Sequence, residues 1–173
     1  MPPQPLEVSH PHPPYLKDFL GFLPELNKES ERGRVLISCS YLDELMRLIL
    51  LAFLVDNDSS KKLIEGFNAP LGTLSTRSSA AFALGLISEQ EFKECNTLRK
   101  VRNLFAHRVH ASFDTQEIRD LCNNLTMAVP SSDKVIVDAC GQYTSAVVAL
   151  IIYLNNRPVY VARKRRNVEK WPR

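Results

Sequence analysis

Apolar residues recur at helical spacing through most of the chain. From Tyr15 to Leu26 the pattern YLKDFLGFLPEL predicts one short helix, broken at Pro24. Arg34 to Val55 gives the strongest helical signal; near its C-terminal end it is apolar almost all round, as a central bundle helix is. Asp43, Glu44 and Arg47 interrupt that coat and mark a face toward water or another subunit. DNDSS (56–60) breaks the helix, Lys61–Phe67 is at most a short helix, and NAPLG (68–72) is a turn. Thr73 to Leu86 reads as a helix of small residues with Gly85 near its end. Ser88 and Glu91 form the pattern of a capping box, in which a hydroxyl and a carboxylate each satisfy an orphan N–H, and open a helix to Arg108. Asp114 and Glu117 repeat the pattern before Thr115–Leu125. After a loop, Lys134–Asn155 reads as the last long helix, and VYVA (159–162) as a short strand with no evident partner. The expected class is all-α: a bundle of four to five main helices plus short ones.

Length adds to this picture that 173 residues suit one domain. Six glycines and 8% aromatics count against a large β-sandwich. We divide the chain into a Pro-rich arm (1–14), a single helical domain (15–156) and a basic tail (157–173). The arm's His10 and His12 are plain arm residues rather than a metal site. The uncharged stretch Ala139–Asn156 contains Gln142, Thr144, Ser145 and two asparagines, so it reads as a packed helix rather than a membrane span. No secretory pattern opens the chain, and a cytoplasmic protein is expected.

Charge is unevenly spread. The last 17 residues hold seven basic groups and one acid, which leaves a net −3 over residues 1–156. The run Arg163, Lys164, Arg165 and Arg166 is either a solubilising extension or a contact for an RNA or DNA backbone. Cys39, Cys95, Cys122 and Cys140 are too dispersed for a zinc or redox motif and read as buried filler; no metal or cofactor is expected.

The candidate chemistry lies in LRKVRNLFAHRVH, at the end of the helix opened by Ser88. With Arg102 at 0°, Leu98, Phe105 and Val101 fall at about −40°, −60° and −100°, while Ala106, Arg99, Asn103 and His107 fall at about 40°, 60°, 100° and 140°. A guanidinium, an amide and an imidazole beside one small residue suit metal-free phosphate chemistry. They equally suit a solvated basic face near a helix C-terminus. Arg77, in PLGTLSTR, is placed to tie its turn to Asp43 or Glu44, or else to hold a ligand's anion.

Arg102-Asn103-Leu104-Phe105-Ala106-His107 resembles the R-N-x-x-x-H signature of the HEPN superfamily, helical bundles that often dimerise. The resemblance implies a metal-independent endoribonuclease. In it His107 is the acid–base group, Arg102 stabilises the charged phosphorane, and Asn103 supports them. Across roughly 30–125, Pro70-Leu71-Gly72, Leu74-Ser75-x-Arg77 and Leu84-Gly85-Leu86-Ile87 are similar to the MltR family of mannitol operon repressor-like proteins. That resemblance implies an all-helical protein with a role in transcriptional regulation. No helix–turn–helix with a polar recognition helix is evident, so regulation is expected to run through a protein partner, or through the tail as a non-specific anchor. The apolar runs Leu48–Val55 and Val147–Leu154 suggest a homodimer. No P-loop, G-x-G-x-x-G, H-E-x-x-H or G-x-S-x-G occurs.

Overall fold

A computed structural model describes residues 14–132 and 135–172, with side chains from residue 19 onward. The arm's residues 1–13, with His10 and His12, lie outside the described residues. The helices are α1 (Pro14–Lys28), α2 (Glu31–Phe53), α3 (Asp58–Ile64), α4 (Leu74–Ala83), α5 (Glu89–His107), α6 (Gln116–Asn123), α7 (Ala139–Asn155) and α8 (Arg157–Ala162). The described residues contain no strand, and the fold is an all-α bundle.

Helix α2 is the axis. Val35, Cys39, Leu42, Leu45, Met46, Ile49 and Leu50 recur every three or four residues and are all buried. The helix meets α1, α3, α4, α5, α7 and α8. Leu98, Val101 and Phe105 of α5 are fully buried, which is the core stripe that helical spacing predicts. Ser88 Oγ accepts from the Glu91 N–H at 3.2 Å and Glu91 Oε2 from the Ser88 N–H at 2.7 Å, so the first capping box is formed. Helix α4 ends in a Schellman motif: the N–H groups of Gly85 and Leu86 return to Phe82 and Ala81, and Gly85 takes the left-handed φ of 67° that this closure needs.

Four local expectations are corrected. Helix α1 continues through Pro24 rather than breaking there. Phe19 and Leu26, on either side of it, are buried, and Phe22 packs on Tyr41 at 4.6 Å; Pro24 faces water, where the carbonyl it leaves unbonded can be solvated. Helix α7 starts at Ala139, since Asp138 Oδ1 caps the Gly141 N–H at 2.7 Å. The second capping box does not form: Thr115 occupies the cap position of α6 without a side-chain bond, and Glu117 pairs with Arg108 at 2.6 Å instead. VYVA is helical, not a strand. Pro158 sits in the first turn of α8, where its missing N–H costs nothing, and Val161 buries as the helix packs on α2.

Candidate functional site

The polar arc of α5 stands as its spacing requires. Arg99, Arg102 and Asn103 are half-buried, and Ala106 and His107 are exposed. Arg102 Nη1 donates to Asn103 Oδ1 at 3.0 Å, which joins two of the three motif residues. His107 stands a turn further on, and no hydrogen bond or ion pair joins it to either one among the described residues. Arg99 and Arg102 lie close enough to the Cys39 thiol to favour its ionisation, but burial outweighs them and pushes that thiol up to about 11. Arg99 Nε is buried with no hydrogen-bond partner.

The loop after His107 is held from α2. Arg32 donates to the carbonyls of Phe105 (2.5 Å), Arg108 (2.7 Å) and Val109 (2.8 Å), satisfying groups that the end of α5 leaves free. Glu31 Oε2 accepts from the Phe113 N–H at 3.2 Å. Neither residue stands out in the sequence, because both act across more than 70 positions.

A cleft of about 400 Å³ opens between α5 and α6. Lys100, Asn103 and Leu104 line one wall, and Glu117, Asp120 and Leu121 the other. Of the motif residues only Asn103 reaches it. Two carboxylates on its far wall oppose a phosphate there.

Arg77 is buried among structural partners. Its Nη1 pairs with Asp43 Oδ2 at 2.8 Å, Nε donates to the Leu71 carbonyl at 2.9 Å and Nη2 to the Ile64 carbonyl at 3.0 Å. All three nitrogens are thus engaged within the fold, which ties α2, α3 and the 65–72 turn to α4. The acid on this arginine is Asp43; Glu44 instead pairs with Arg47 at 2.6 Å, and that hydrogen bond holds its carboxyl below the usual range.

The segment after α7 is docked. Arg157 pairs with Glu91 at 2.7 Å, and the Arg166 N–H donates to the Phe53 carbonyl at 2.7 Å. Arg163, Lys164, Arg165 and Arg166 are exposed, and the Arg163 guanidinium lies 5.6 Å from the Tyr160 ring centre. The apolar runs read as a dimer surface are largely spent on the chain's own core. Ile49, Leu50, Val147, Leu150, Ile151 and Leu154 are fully buried, while Leu48, Ile152 and Tyr153 remain outside. Ala139–Ala162 is long and apolar enough to cross a membrane by length and composition, but the same stretch packs on α1, α2, α5 and α6. The four cysteines are free, and no cluster of metal-ligating side chains occurs among the described residues.

These features define the class: an all-α bundle threaded by one buried helix, with a basic-polar arc on the helix packed against it. The chain is similar to one in the X-ray structure of the MtlR–HPr complex from Escherichia coli, with a TM-score of 0.60 and 21% identity over 86% of this chain and 98% of that one. The likeness establishes a shared fold. No protein-family model and no curated protein sequence matches the chain.

Proposed function

We propose that this chain is an MltR-like helical regulatory protein that acts on transcription through a protein partner rather than by reading bases itself. The observation that carries this reading is the extent of the likeness: nearly all of a chain solved in complex with HPr superimposes on most of this one. The net −3 of residues 1–156 fits a surface that meets protein better than duplex DNA. In this reading the protein works in the cytoplasm, and a homodimer would use Leu48, Ile152 and Tyr153. Titration calorimetry with purified HPr tests the partner: saturable heat at a fixed stoichiometry is expected, and none at high concentration removes the reading. A strictly monomeric mass in light scattering removes the dimer.

A second reading, a HEPN-type metal-independent ribonuclease, is favoured by one observation: His107 is exposed on the helix that also carries the joined Arg102–Asn103 pair. The 2′-hydroxyl would attack the adjacent phosphate, with His107 moving the proton and Arg102 holding the charge. RNA cleaved in EDTA to cyclic phosphate ends, and left intact by Arg102→Ala and His107→Ala, is its signature. Intact RNA with the parent protein eliminates it.

A further inference from the structure

The C-terminal segment carries chemistry that neither reading uses. Arg163, Lys164 and Arg166 make no ion pair among the described residues; Arg165 pairs with Asp56 at 4.0 Å, and its Nη1 donates to the Leu54 carbonyl at 3.5 Å. These cations are not on a loose end. Val161 is buried, the Lys164 N–H closes on the Val161 carbonyl at 2.8 Å, and the Arg166 N–H is tied to the end of α2. The fold therefore holds a positive strip on an otherwise net-acidic body, and such asymmetry steers a polyanion to one place.

Two further observations narrow the polyanion. A cleft of about 190 Å³ lies against the strip, between Gly85 and Leu86 on one side and Tyr160, Val161 and Lys164 on the other. Arg157 lines it too, but its charge is already met by Glu91, so Lys164 is the cation left for a ligand. Exposed aromatic rings flank the strip in the chain: Tyr160, 54% accessible, precedes it, and Trp171, 80% accessible, follows Arg166 by five residues. Cations that follow a phosphate backbone, with rings beside them on which bases stack, are the elements of single-strand recognition. A duplex hides its base faces and offers nothing to these rings.

We propose that α8 and the segment through Trp171 bind single-stranded nucleic acid, its phosphates on Arg163, Lys164, Arg165 and Arg166 and a base against Tyr160 in the adjoining cleft. Arginine forks suit phosphate oxygens better than a diffuse anionic surface requires.

Fluorescence anisotropy of the full chain with labelled oligo(dT) of about 20 nucleotides tests this. That probe lacks the 2′-hydroxyl, so it reports binding whether or not the chain cleaves RNA, and HPr titration of the same variants keeps the partner reading separate. Four phosphate contacts give a slope of about −3 for log K against log salt. Replacing the four cations together by Ser should remove most of that slope while leaving the circular dichroism melt unchanged. Trp171→Leu and Tyr160→Leu should each weaken binding about fivefold or more with the slope kept. Absence of binding at about 50 mM salt, equal affinity for a duplex of the same length, undiminished binding by the four-Ser variant, or equal competition from phosphatidylserine vesicles or poly-glutamate would each overturn the proposal.

Discussion

Arg157 and Glu91 meet in a two-pronged ion pair, Nη2 to Oε1 at 2.7 Å and Nη1 to Oε2 at 3.2 Å, while the same carboxylate caps the Ser88 N–H at 2.7 Å. Arg157 also donates to the Leu86 carbonyl at 2.8 Å. One buried acid thus fastens both the start of α5 and the start of α8, and through α8 the basic strip.

Removing one partner of a buried pair costs about 3–5 kcal/mol, because the other charge is left stranded. Arg157 is a quarter exposed, so Arg157→Ala belongs at the lower end, about 3 kcal/mol. Glu91→Gln should cost less, since an amide oxygen still accepts from Ser88. A urea double-mutant cycle over both sites should give a coupling above about 1 kcal/mol. Simple additivity would mean that the fork contributes nothing of its own.

Arg77→Ala strands Asp43 and frees the carbonyls of Leu71 and Ile64. Asp43 is one-third exposed, which lets water take up part of the loss, so we expect about 3 kcal/mol of destabilisation. Arg77→Lys should recover only a part, because an ammonium cannot span three acceptors in a fork. Both are readable as shifts in thermal midpoint, with hydrogen exchange rising first in 64–72. A lysine variant as stable as the parent would show the fork geometry to be idle.

The bundle was legible in the sequence because its main signals are local: the three-and-four spacing in α2, the Ser88–Glu91 box, and the apolar stripe of α5. The departures have two physical sources: packing on a distant helix, and local polar partners that the spacing does not rank, such as Asp138 at the start of α7. Pro24 stays helical because apolar residues on both sides of it bury. VYVA coils because Val161 finds α2. Glu117 leaves its expected cap for Arg108. The α5 arc could be drawn on a wheel, but its supports could not. Arg32 reaches Phe105, Arg108 and Val109 from 73 to 77 positions away. Glu94, 2% exposed, accepts from the N–H groups of Thr126 and Met127 at 3.0 and 2.9 Å. Their only trace in the sequence is a charge beside apolar positions, which surface residues share.

Arg32→Ala should fray the end of α5. Hydrogen bonds from a charged donor contribute about 1.5–3 kcal/mol each when counted singly, and three sharing one half-exposed group contribute less than their sum. We expect about 2 kcal/mol of global destabilisation and faster amide exchange at 105–111, with the buried middle of α5 unaffected. Unchanged exchange there would mean that water caps the helix as well as the guanidinium does.

Rising pH should destabilise this protein through its buried thiols. Burial pushes Cys39 up from 9.0 to about 11, and Cys95 and Cys122 to about 12. The fold therefore holds these thiols neutral. Below pH 9 they are protonated in both states and their contribution is constant. Between pH 9 and about 11 the unfolded chain ionises them and the native one does not, so stability falls as pH rises, by up to about 1.4 kcal/mol per thiol per pH unit. The loss levels off once pH passes the folded values. Urea midpoints taken at pH 8, 9 and 10 should fall steeply over the last step, and Cys95→Ala should flatten that slope despite its own cavity cost. In native protein at pH 8 a thiol reagent should spare Cys39, Cys95 and Cys122 and reach only the half-buried Cys140. Stability unchanged from pH 8 to 10 would mean that these thiols ionise alike in both states.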